Sequence, residues 1–315
     1  SVARGELLQG ITGIAWYYRQ FGYEMTVGHG GSRRWLRFRI PQRKADEAPA
    51  YKLRLAVAED FALVDTLYKV HCSHTLITRL RDQPEWLYEL AWKKFWIVED
   101  SNGEVVGYAE ARVDDGGDDP ELVNSLKVQE LAVLPGHSLQ AVSIFLGQEL
   151  QSQIDELNKT REKPLTGLAL DLGPEHPAYS VLGDMLEKYR PSWAWYIRIP
   201  DISAFLRLIT PVLEERLAAS PMARHTGTLR LNLYRSQIAL NFQNGNLTEV
   251  GTYTRADLED GDACFPELTF LHVLLGHRTV AELNHIYPDC YANGAAGALV
   301  EILFPKQPSN PVWLS

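Results

Sequence analysis

The chain has 315 residues, 45% hydrophobic and 23% charged, which excludes bulk disorder and suits two domains, each able to bury a core. A formal net charge of −9 argues against a large nucleic-acid footprint, because such a footprint needs a basic face. Cys72, Cys264 and Cys290 lie too far apart for a disulfide framework or a zinc site, and no apolar run reaches the roughly 18–20 residues that span a bilayer, so a reducing, cytoplasmic setting is expected.

The opening residues have neither a basic nor an apolar leader segment, so no signal peptide is expected. With no starting Met, the numbering is expected to begin inside a longer protein. Tyr17, Tyr18, Phe21 and Tyr23 crowd an aromatic stretch, Gly28 to Ser32 reads as a turn, and Trp35 to Ile40 alternates like a strand. The polar run from Pro41 to Ala50 reads as a linker. A strand over 52–58 and a helix carrying Phe61, Val64, Leu67 and Tyr68 on one stripe open a new domain. Phe95–Val98 and Val105–Ala109 form a hairpin around Gly103. The acidic run from Val113 to Glu121 fails the spacing of a calcium loop and reads as solvated.

Val128 to Pro135 predicts a strand, and Leu139, Val142, Phe145, Leu146, Leu150 and Ile154 predict a long helix. A strand over 165–172, a helix over 177–189 and a strand over 193–199 follow. The spacing then predicts one helix over 202–219, strands over 229–233 and 237–242, a turn at Asn244-Gly245, and helices near 266–276, 279–287 and 294–303. The proline-rich end carries Trp313 and Leu314 as an apolar anchor. The order of elements is that of a mixed α/β, or α+β, layered protein.

Three segments carry a family resemblance. Gly10 to Glu24, with Tyr18-Arg19-Gln20-Phe21-Gly22-Tyr23, is similar to the closing motif of a GNAT acyltransferase domain. Lys52 to Pro200 resembles a complete GNAT fold, and Phe265 to Arg278 resembles part of a sterol-carrier-like domain. Their order resembles that of Eis-like N-acetyltransferases. The resemblance implies three segments: 1–45 as the end of a first GNAT fold whose N-terminal part is absent, 51–200 as a second, degenerate one, and 201–315 as the sterol-carrier-like domain. It also implies acetyl-CoA as co-substrate, a small-molecule or peptide amine as acceptor, a homo-oligomer, Tyr18 as general acid and the C-terminal carboxylate of Ser315 as base.

The residues themselves leave alternatives open. Tyr18 fits an aromatic core position as well as a proton donor, with Tyr17 expected to face the core. Pro135 to Gln140 keeps Gly136 and Ser138 but no basic residue, and is expected not to bind acetyl-CoA; no cofactor-binding residue is assigned elsewhere. His71 and His74 read as structural, as do His272 and His277, and no metal ligand set is expected. The stripe Phe205, Leu208, Ile209 and Leu213 reads as core rather than as a lipid cavity, although a non-catalytic lipid-binding or assembly module is the alternative to an enzyme.

Overall fold

Strands and helices form largely where apolar periodicity places them, in a computed structural model that describes residues 4–43, 46, 48–114, 124–187, 191 and 193–311. Strands β1 (Gln9–Ile11), β2 (Glu24–His29) and β3 (Arg33–Leu36) come first, with a 3-10 turn over Tyr17–Phe21. β4 (Tyr51–Leu55) leads into α1 (Phe61–Cys72) and α2 (Gln83–Leu90). β5 (Phe95–Asp100), β6 (Val105–Asp114) and β7 (Ser125–Val133) precede the long helix α3 (Leu139–Leu157). Then come β8 (Gly167–Leu170), α4 (Pro177–Leu182), β9 (Trp193–Arg198), α5 (Ile202–Leu208) and α6 (Thr210–Ala218). The last stretch holds β10 (Gly227–Asn232), β11 (Gln237–Gln243), β12 (Asn246–Gly251), β13 (Ala263–Cys264), α7 (Glu267–Leu274), α8 (Val280–Ile286), β14 (Tyr291–Ala292) and α9 (Gly294–Leu303).

The chain divides into two compact units, each assembled from distant parts of the sequence. Among the described residues, one joins 4–28 to 194–308, and the other joins 29–193 to 309–311. The second unit is built on a six-stranded sheet in the order β3-β8-β7-β6-β5-β4. Its pairings are antiparallel except β7 with β8, which run parallel. Alternation along the strands sends Val98, Ala109, Val128 and Leu131 to the face covered by α3 and α4, with Trp35, Leu146 and Leu150 among them. Ile97, Tyr108 and Ala132 face the other way, against Val64, Leu67 and Trp86 of α1 and α2. In the first unit, β9 runs between β1 and β2 in a three-stranded sheet, and the order β12-β11-β10-β13-β14 forms a five-stranded one. Thus β3, from the 1–45 segment, completes the sheet of the 51–170 region, while β9 pairs with β1.

Several elements differ from the periodicity. The helix expected over 202–219 is two helices, because Pro211 in the first turn of α6 lacks the N–H that a continuous helix needs. The helix expected over 177–189 ends at Leu182, where Gly183 turns to φ 46°. The strand expected over 35–40 is β3, followed by a 3-10 turn at Arg37–Arg39. Helix α2 had a readable start signal: Asp82 accepts the Glu85 N–H at 2.9 Å, and Glu85 accepts the Asp82 N–H at 3.1 Å.

Candidate functional site

The tyrosine motif belongs to the first unit. Tyr17 to Phe21 wind a single 3-10 turn that Gly22 closes in the left-handed region at φ 78°. This short turn overturns the expectation that Tyr17 faces the core. Tyr17 is 44% exposed, and Tyr18 is the half-buried one. The Tyr18 ring lies 5.6 Å from Tyr196 of β9 and 6.1 Å from Tyr23, ring centre to ring centre. Both neighbours are held in turn: Tyr196 Oη accepts the Trp16 N–H at 2.7 Å, and Tyr23 Oη donates to Gln9 Oε1 at 3.1 Å. Trp16 holds φ at 67°, a conformation that a bulky residue adopts only under constraint. Gly13 keeps the far side of the ring clear, since a Cβ there would stand 3.3 Å from the ring and 3.6 Å from the hydroxyl. Ile14, Trp16 and Phe21 are each more than half exposed, so the motif presents an apolar face.

In the second unit β7 and β8 pair in parallel only from Leu126 to Val128, with a further bond from Asp171 N to Val128 O. Beyond that the backbone of Leu131 turns to imidazoles. Its carbonyl lies 3.1 Å from His71 Nδ1 and 3.1 Å from His176 Nε2. His176 Nδ1 accepts the Ala178 N–H at 3.1 Å, which leaves its proton on Nε2. His74 completes the cluster, 4.8 Å from His176 ring to ring. Burial holds all three imidazoles below the ordinary histidine range, His74 at about 4; His71 further disfavours a charge on His74 and His176, and His74 does so on His176. The sequence shows His71 and His74 as neighbours; only the fold adds His176. Among the described residues no group of three or more His, Cys, Asp or Glu is placed to hold a metal ion.

The following turn has a left-handed Gly136 at φ 92°, and Ser138 Oγ accepts the Ala141 N–H at 3.1 Å as the cap of α3. Acetyl-CoA would need free backbone groups on this strand and at this helix start. Here imidazoles and a serine hydroxyl engage them, so these residues do not fit it.

On the face of this sheet that α1 and α2 cover lies a buried ionic network. Arg81 reaches Glu130 Oε1 at 2.5 Å and Glu89 Oε2 at 3.2 Å, and Glu89 also meets Arg79 and Lys93. Tyr108 Oη donates to Glu130 Oε2 at 2.8 Å. Glu110, opposite Glu130 on β6, is 1% exposed, and among the described residues neither carboxyl oxygen has a hydrogen-bond partner. Burial first, and then the Glu130 charge, push its carboxyl up to about 8.

Ser315, the other expected catalytic group, lies outside the described residues, as do Trp313, Leu314 and most of the acidic run from Val113 to Glu121. The last described residues pack within the second unit: Ser309 Oγ accepts the Ile77 N–H at 3.3 Å, and Asn310 Oδ1 accepts the Gly30 N–H at 3.2 Å. His272 and His277 pack against each other with Nδ1 atoms 2.9 Å apart. Leu213 is buried as core, whereas Leu208 is 63% exposed. Among the described residues no helix is long and apolar enough to cross a membrane.

No protein-family model matches the chain, and no curated protein sequence does either. Its fold has solved counterparts. A GCN5-related N-acetyltransferase from Kribbella flavida is similar over 98% of this chain and 71% of its own, with TM-score 0.62 and 15% identity. One from Anabaena variabilis is similar over 98% and 73%, with TM-score 0.65 and 13% identity. Eis1 from Mycobacterium abscessus is similar over 98% and 73%, with TM-score 0.51 and 17% identity. The chain therefore has the GNAT fold, and its structural neighbours include an Eis protein, in agreement with the resemblance carried by its motifs.

Proposed function

We propose that this GNAT-fold chain takes part in acyl transfer from an acyl thioester, acetyl-CoA in the first instance, to an amine, with Tyr18 as the proton donor. The observation that carries the reading is the setting of Tyr18 in the Tyr-x-x-Phe-Gly-Tyr motif, backed by Tyr196 and Tyr23 and left clear by Gly13. In this reading the acceptor nitrogen bonds to the carbonyl carbon, the C–S bond breaks, and the Tyr18 hydroxyl proton goes to the leaving sulfur. The amine proton goes to a base, for which the resemblance assigns the carboxylate of Ser315. Acceptors are small-molecule or peptide amines such as aminoglycosides and lysine side chains. The working form is a homo-oligomer without nucleic acid, in the cytoplasm.

The second unit has a non-catalytic part in this scheme, and the histidines at Leu131 favour that. The segments 1–45, 51–200 and 201–315 then stand for the end of a first GNAT fold, a degenerate second one and a sterol-carrier-like domain. Thiol release from acetyl-CoA with aminoglycoside, polyamine and lysine-peptide acceptors tests the scheme. Tyr18→Phe should lower kcat by about 10²–10⁴-fold with KM nearly unchanged. Full turnover by Tyr18→Phe would remove the tyrosine from the chemistry, and no turnover of any amine would remove the activity.

A further inference from the structure

We propose that a pocket in the first unit, beside Phe21 and Gly22, binds a small organic oxyanion with an apolar body. The pocket measures about 240 Å³, and Arg198, Arg235 and Glu267 are its charged lining residues. The rest of the lining is apolar, with Phe21, Ile199, Ile202 and Leu271 among it. Phe21, 52% exposed, belongs to the same wall.

The two arginines reach the pocket from different elements. Along β9 alternate residues share a face, so Arg198 points the same way as Tyr196. Tyr196 packs on Tyr18, and the Arg198 guanidinium lies against Gly22, where a Cβ would stand 3.8 Å from Nε. Gly22 sits in the left-handed region, so its lack of a side chain serves both the turn and the open side of Arg198. Arg235 comes from the turn between β10 and β11. Among the described residues neither guanidinium has a carboxylate partner, although other arginines of the same unit do: Arg19 meets Glu24, and Arg230 meets Asp260 and Asp262. Two guanidinium forks with no carboxylate partner among the described residues, on one pocket, favour an anion that takes bidentate hydrogen bonds, a carboxylate or a phosphate. Glu267 is the single acid in the lining and opposes that anion.

Size narrows the ligand. At roughly 30 Å³ per water, the space holds about eight water volumes, the scale of a six-carbon carboxylate. The inference is independent of the acyl-transfer reading, because it rests on the pocket alone.

Calorimetric titration of the full chain with hexanoate, hexyl phosphate, hexanol and hexylamine tests it. Hexanoate or hexyl phosphate should bind, and whichever binds more tightly identifies the head group. Arg198→Gln and Arg235→Gln should each weaken that binding about tenfold or more, the usual worth of a charge-assisted hydrogen bond. Glu267→Gln should tighten it. Unchanged thermal midpoints would show that the variants remain folded, and a shift of the Arg198 Nε–H resonance on titration of the unsubstituted chain would report contact without any variant. Hexanol binding as tightly as hexanoate, a preference for hexylamine, or full affinity in both arginine variants would overturn the proposal.

Discussion

Glu110 is held as a neutral acid at neutral pH. Its native carboxyl titrates near 8, against 4.5 as the ordinary value. Between those values the unfolded chain has released this proton and the native chain keeps it, so the site loses stability as pH rises, by up to about 1.4 kcal/mol per pH unit. Glu110→Gln keeps the shape without the titration, and urea midpoints between pH 5 and 8 should lose that slope. Arg81 illustrates the opposite case. It carries contacts to Glu130 and Glu89 and covers the rings of Tyr68 and Trp86 at 4.3 and 4.4 Å. Arg81→Met leaves the buried Glu130 carboxylate with only the Tyr108 hydroxyl and should cost about 3–5 kcal/mol in urea denaturation. Neither residue was legible as a site beforehand, because a charged residue on a strand or loop reads as solvated until the opposite element covers it. Tyr18 was legible, since its motif is local. The partner at its ring, Tyr196, comes from β9, far along the chain.

The elements were read best where one face alternates regularly. α1, the β5–β6 hairpin, β7 and α3 all lie where the apolar pattern put them. The two-residue strands β13 and β14 carry no periodicity, and they exist because β10 offers an edge to β13. Helix α3 also shows how closely an element is fitted. A Cβ on Gly147 would stand 2.7 Å from the Trp35 ring, and the gap among these residues measures about 10 Å³. Gly147→Ala therefore has no free volume to use, despite the better helix propensity of alanine. We expect a loss of about 1–3 kcal/mol from overpacking, read as a lower urea midpoint, with Trp35→Phe in the same chain recovering part of it.

At the scale of the whole molecule, acid sensitivity is set by buried imidazoles in both units. His74, His272 and His277 titrate at about 4 in the native state, through burial first and then neighbouring positive charge. His71 and His176 are lowered too. The unfolded chain takes up these protons from the ordinary value of 6.5 downward, and the native chain refuses them until about 4. Stability is thus present above 6.5 and falls as the solution is acidified through that window. Several imidazoles outweigh the opposite slope of Glu110 there. Above 6.5 Glu110 acts alone among these groups, so the thermal midpoint should peak near pH 6.5. A midpoint that rises steadily from pH 6.5 down to 5 would contradict these assignments.

By itself the sequence determined the mixed α and β character, most helices and central strands, and the tyrosine motif with its resemblance to Eis-like proteins, because these depend on periodicity and on spacing within one segment. The tertiary structure alone decided that β3 completes the sheet of the following region while β9 pairs with β1, that His176 joins His71 at Leu131, and that Arg198 and Arg235 share a pocket. The physical reason is the same in each case. Strand pairing, burial and charge pairing are properties of residues that meet across long stretches of chain, and no local pattern records which distant partner closes the contact.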